Sequence, residues 1–241
     1  MRSLNPSPSR PERLTPADLG LALLALASGA SDAIAFLTLG KVFTSAMTGN
    51  MALLGISLSQ GHLSDAFLGL SALTGFVVGV ATAAAVSEYR GSTGLAGVLR
   101  PLFALEAVYL ICFAFIWTAG RHPAEGGAAF GLIVLSSAAM GIQSVAARTI
   151  HAPGINTIVF TSTLVSIITS ITGAVVRRAH PLVGFATLRQ IGSFFTYALG
   201  AIIAAVLTQH ELVWVAFLPL VSVLGAFACC EFDARRDSKK R

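Results

Sequence analysis

Charge is what this chain has least of: 11% of its 241 residues are Asp, Glu, Lys or Arg. A soluble domain carries about 25%. So few charges cannot cover a water-facing surface, and 55% of the residues are hydrophobic. A lipid bilayer is the solvent this composition fits. Cysteine is also scarce. Its three copies, Cys112, Cys229 and Cys230, make no disulfide framework, and Cys112 is expected to pack within its apolar run. The sequence has no GxxxxGK(S/T) phosphate loop, no HExxH and no GxSxG. That argues against an ATP-driven pump, a zincin and a serine hydrolase. The histidines at 62, 122, 151, 180 and 210 stand alone, mostly at loops or span ends, which does not suit a metal site. No cofactor and no enzymatic activity are expected.

What charge there is lies in blocks. Arg2, Arg10 and Arg13 precede the first apolar segment, and Arg235, Arg236, Lys239, Lys240 and Arg241 follow the last. The net charge of +5 is better read as flanking charge that orients spans than as a nucleic-acid surface. Residues 1–16, with four prolines, read as a disordered cytoplasmic N-tail, and 233–241 as a basic cytoplasmic C-tail. The Ala25-Leu26-Ala27 triplet resembles a signal-peptidase site. The apolar run continues past it to Leu39, so an uncleaved first span is expected.

A helix needs about 20 residues to cross the hydrocarbon core. Six segments fit, at 17–39, 64–87, 102–119, 127–147, 188–208 and 212–230. Two more, 42–58 and 155–176, are apolar but rich in Thr, Ser, Gly and Asn. Irregular backbone at membrane depth is tolerated only where protein or a water-filled cavity covers it. Both are therefore read as broken, re-entrant segments. With six crossings and an inner N-terminus, Lys41 and Arg121 alone fall outside, as the positive-inside rule favours. Eight crossings also satisfy the rule, but the polar content of the two segments favours six. The fold class is all-α, a polytopic membrane protein.

The halves 17–120 and 121–232 resemble each other weakly. Thr44 and Thr48-Gly49-Asn50-Met51 match Thr157 and Thr161-Ser162-Thr163-Leu164, with Gly29 and Gly141 at similar distances before them. Three crossings per half is an odd number, so the second half enters inverted. Inverted 3+3 repeats are the architecture of many secondary transporters, with broken helices around a central site.

Residues 29–55, GASDAIAFLTLGKVFTSAMTGNMALLG, resemble the signature of the YoaK-like family of bacterial membrane proteins. The features are Asp32-Ala33, Gly40-Lys41-Val42-Phe43 and Met47-Thr48-Gly49-Asn50. In the second half Met140-Gly141-Ile142-Gln143, Arg148 and Thr161-Ser162-Thr163-Leu164 are similar to family patterns, Ser162 replacing a usual Gly. The resemblance implies a multi-pass protein of the bacterial inner (plasma) membrane. It implies no activity, since the family has none assigned.

Asp32, well inside the first span, is the leading chemical candidate. An intramembrane carboxylate costs about 2.5–3.5 kcal/mol to insert on translocon scales and marks an ion pathway or a paired structural group. The alternatives are a proton or cation site, and a hydrogen bond to the broken segment through Asn50 or Thr48. Thr44, Ser45, Thr48, Gly49 and Asn50, with Thr157, Thr161, Ser162 and Thr163 as counterparts, either line a polar cavity or lock helices together. In that set Gly49 is expected to supply backbone freedom. Gln143 and Arg148 are five residues apart and face different sides of a helix. Arg148 either snorkels to the surface, binds an anion, or pairs with a carboxylate, Glu106 being the expected partner. Gly75-x-x-x-Gly79 suits close packing, within one chain or in a homodimer.

These features favour a small secondary transporter of an unknown solute or ion, with its site between the two broken segments. The alternative is a non-transporting scaffold or regulatory subunit. An intramembrane lipid enzyme ranks third, lacking a catalytic constellation beyond Asp32.

Overall fold

The computed structural model describes residues 14–120, 126–150, 160–177, 183–210 and 213–238. All regular structure among them is helical: α1 (Pro16–Thr38), α2 (Met47–Ser59), α3 (Leu63–Arg90), α4 (Gly94–Ala119), α5 (Gly126–Ile150), α6 (Phe160–Val176), α7 (Phe185–Gln209) and α8 (Phe217–Ser238), plus two short 3₁₀ turns. Six stretches are long and apolar enough to cross a bilayer, namely α1, α3, α4, α5, α7 and 213–236, which takes in most of α8. This is a multi-pass helical membrane protein. The expected 42–58 segment is non-helical before Met47 and becomes α2, and the second polar segment ends in α6. Residues 151–159, with Thr157, lie outside the described residues, as do most of the N-tail and the last residues of the C-tail.

The sequence boundary of the third span moves. It was expected to start after Arg100-Pro101, but α4 begins two turns earlier and contains Pro101. The ring removes one helical hydrogen bond, a loss tolerated in membrane helices when neighbours support the turn. Here Arg100 donates through Nε and Nη2 to the two carboxylate oxygens of Glu231 on α8, at 2.7 and 2.8 Å.

α1 and α5 are the central helices, the most deeply buried of the six spans. Their sequences explain it. ALASGASDA in α1 and SSAAMGIQS in α5 are runs of small residues that let backbones approach. α1 packs on α7 and α8, while α5 packs on α3 and α4. The closest approaches are at glycines. A Cβ on Gly29 would overlap the carbonyl of Tyr197, and one on Gly200 that of Leu26. Likewise Gly141 faces the carbonyl of Phe76, and Gly79 that of Ala138. The registers correspond. Gly29 is to Gly141 as Leu26 is to Ala138, and Gly79 is to Gly200 as Phe76 is to Tyr197, at equal sequence spacing in each case. Gly75 also meets α5, at Val134, so the small-xxx-small face is used inside the chain.

Helix directions follow from contacts. Asp18 at the start of α1 pairs with Arg189 near the start of α7 (2.9 Å), so these two run parallel. Gly20 meets Cys230 and Ala226, and the Phe103 ring packs at a tilt against Phe227, so α8 runs against both α1 and α4. The start of α1 and the end of α8 therefore share one end of the bundle. Arg90, Arg100, Arg148, Arg189, Arg235 and Arg236 sit on helix ends that point the same way, while Lys41 follows the opposite end of α1. Cys112, expected to pack, is instead exposed on the outer face of α4.

Two glycines separate packing from propensity. Gly141→Leu should lower stability by at least the ~1–3 kcal/mol typical of overpacking, because the obstacle is backbone. Gly55 has nothing near its missing Cβ, so Gly55→Ala should raise stability by up to ~1 kcal/mol through helix propensity. Thermal unfolding in detergent, followed by size-exclusion of the soluble fraction, checks both.

Candidate functional site

The chain leaves α1 at Thr38 and does not become helical again until Met47. Gly40 (φ 95) and Lys41 (φ 58) make the reversal with left-handed backbone. Gly40 adopts it freely, whereas Lys41 is strained and must be held by its surroundings. Side chains supply the hold. Thr44 N and Ser45 N each donate to Asp32 Oδ1 at 2.7 Å, and Thr44 Oγ1 adds a longer bond at 3.3 Å. Ser45 Oγ donates to Asp32 Oδ2 at 2.6 Å, and the Tyr197 hydroxyl from α7 does so at 2.7 Å. Asp32 is 2% exposed, so five donors replace its water. Such charge-assisted bonds are about twice as strong as neutral ones.

The preceding residue is handled the same way. Asn50 Oδ1 accepts from Phe43 N (2.8 Å) and its Nδ2 donates to Phe43 O (2.6 Å). One side-chain amide thus satisfies both backbone groups of Phe43. The Phe43 ring stacks on Phe36 with centroids 5.1 Å apart. It also lies against Gly49, whose Cβ would come within 3.0 Å of the ring.

Several expectations change. Asp32 bonds to the broken segment, but through Thr44 and Ser45 rather than Asn50 or Thr48. Thr48 is exposed and lines no buried site. Gly49 is helical, and its smallness makes room for an aromatic ring instead of supplying backbone freedom. The Glu106–Arg148 pair does not form: Glu106 is fully buried without a hydrogen-bond partner, while Arg148 is exposed. Gln143 is buried as its helical position implies, and donates to Leu24 O (2.9 Å) and Ser28 Oγ (2.7 Å), tying α5 to α1. Thr163 is buried on α6, which packs on α7, and Ser166 and Gln190 link those two helices. Asn50 lies across the bundle on α2, which packs on α3. α2 and α6 are not among the closely packed helix pairs, so the expected shared site between Thr163 and Asn50 is not seen among the described residues. Thr161 lies in the first turn of α6, where only its backbone is described.

Tyr197 was not identified from the sequence. Its signal was present but indirect: it stands three residues before Gly200, on the helix that meets α1 at Gly29. Around Gly141 in the second half, the matching positions among the described residues carry other side chains. Ser144 stands three residues after Gly141 as Asp32 does after Gly29, and Phe76 faces Gly141 as Tyr197 faces Gly29. Ser144 spends its hydroxyl on Met140 O within its own helix.

Beside the Asp32–Tyr197 bond a cavity of about 350 Å³ opens between α1 and α7. Phe36, Leu37 and Phe43 line it together with Ala201 and Ile202, and Leu37 and Ile202 are exposed. It is apolar except at Asp32 and Tyr197. The described residues contain no cluster of His, Cys, Asp and Glu suited to a metal.

Removing single donors should grade the site. Tyr197→Phe takes one charge-assisted bond and should cost about 1.5–3 kcal/mol. Asp32→Ala orphans the amides of Thr44 and Ser45 and should cost about 3–5 kcal/mol. Limited proteolysis should then cut within 39–46 well before global unfolding.

The family model for "Protein of unknown function (DUF1275)" matches residues 20–230. The chain is also 34% identical over 211 residues to the UPF0700 transmembrane protein YoaK of Bacillus subtilis (strain 168), covering 85% of this chain and 90% of that protein. No solved structure matches it. A match from the first span to the end of the last, with Asp32, Asn50, Gln143 and Tyr197 inside it, places this chain in the DUF1275 family of membrane proteins.

Proposed function

We propose that the protein is a small secondary transporter built from two inverted three-span halves, with its solute path beside α1. The observation that carries this reading is the exchange of partners between halves. The contacts of α1 with α7 and α8 are matched by those of α5 with α3 and α4, in the same glycine registers. Opposed three-span halves around midplane sites are a transporter architecture. The 39–46 segment supports it further. It is a non-helical stretch folded against an intramembrane carboxylate, followed by a helix too short to span, as a re-entrant element requires. In this reading the Asp32–Tyr197 bond is the latch between α1 and α7, and the adjoining cavity is where solute enters. The arginine-rich end faces the cytoplasm by the positive-inside rule, which puts both termini inside the plasma membrane.

One observation favours the scaffold alternative: Asp32 already accepts five hydrogen bonds within the chain. A single experiment separates the readings. On a background with Cys112, Cys229 and Cys230 replaced, cysteines at Ala33, Phe43, Ala201 and Ala205 are probed with membrane-impermeant thiol reagents from each side. A transporter should label these sites from one side, and Tyr197→Phe should raise labelling several-fold by freeing the latch. Sites that stay dry from both sides, with and without the latch, would leave a packing element and select the scaffold.

A further inference from the structure

Glu106 lies midway along α4 and is fully buried. Neither carboxyl oxygen has a hydrogen-bond partner among the described residues. Its neighbours on the same helical face, Leu102, Phe103 and Leu110, belong to the core cluster that also holds Met140 and Ile142 of α5 and Val223 of α8. The charged groups on the helices packed against α4 are committed or remote. On α5, Arg148 is exposed; on α8, Glu231 is taken by Arg100, and Asp233, Arg235 and Arg236 lie past it; on α3, Asp65, Glu88 and Arg90 sit at the ends. The central helix α1 brings only Asp32, already held by its own donors, and Asp18, paired with Arg189.

An ionised carboxylate left without donor or counter-charge in such a site would cost several kcal/mol. A metal cation does not resolve this, because hard cations take about six or more oxygen ligands, and the flanking face of α4 is hydrocarbon. A proton needs a single acceptor. We propose that Glu106 is a proton-binding site: it holds a proton as the neutral acid while α4 is packed on α5 and α8, and releases it when that packing opens to water. Its role as the coupling site of a transporter rests on the function proposed above; the bound proton does not. A structural role alone would be better filled by an apolar side chain of similar size.

Infrared spectroscopy of the full-length protein in bilayers at neutral pH tests this. The expected result is a carbonyl band of an acid without hydrogen bonds, shifted by ¹³C-carboxyl glutamate and absent in Glu106→Gln. In D₂O the band should shift over minutes or longer, since the group is sealed. The isotope shift uses the unmutated protein, so the test stands even if Glu106→Gln folds poorly. No glutamate acid band at neutral pH overturns the proposal. So does a band that exchanges as fast as exposed groups, or one that persists in Glu106→Gln. If the band behaves as expected while the α1–α7 cavity stays dry to thiol reagents, the proton site survives and the transporter reading fails.

Discussion

A buried backbone amide outside a helix must find a partner, and the link between α1 and α2 is arranged around that constraint. Three consecutive residues, Phe43 to Ser45, would present bare N–H groups between α1 and α2. Asn50 closes on the first and Asp32 on the other two. The carboxylate thereby fixes the end of α1, the start of α2 and, through Tyr197, the flank of α7. The strained backbone of Lys41 and the lodging of Phe43 against Gly49 follow from the same closure.

The second organising element is contact between backbones without side chains between them. Lipid provides no hydrophobic drive for helices to associate, so close van der Waals contact takes over. Gly29 with Gly200, and Gly79 with Gly141, place one helix's carbonyl where the other has no Cβ. Polar links then fix the rotation of the central pair, with Gln143 reaching Leu24 O and Ser28 Oγ.

Composition and run length were enough to read six spans and an all-helical fold, because lipid leaves a chain few other options. The special standing of Asp32 was legible for the same reason: a lone carboxylate at that depth must be paired. Its partners were not. Thr44 and Ser45 were chosen over Thr48 and Asn50 by the reversal at Gly40-Lys41, whose dihedral angles no composition reveals. Tyr197 comes from a helix far along the chain, and only the packing of Gly29 on α7 puts it in reach. Glu106 and Arg148 looked like a natural ion pair by depth alone. They fail to meet because Arg148 turns to the surface while Glu106 lies on the buried stripe of α4.

The difference between the halves has a thermodynamic meaning. Where one half has Asp32 and Tyr197, the other has Ser144 and Phe76 at matching positions. A structure with two equal halves would hold its two ends closed equally well. Here one end is fastened by a charge with five donors, and the corresponding positions at the other offer a hydroxyl already spent on its own helix and an aromatic ring with nothing to donate. Any opening between α1 and α7 at that end would have to break or carry along the Asp32 bonds, a cost that Ser144 and Phe76 do not impose at the matching positions.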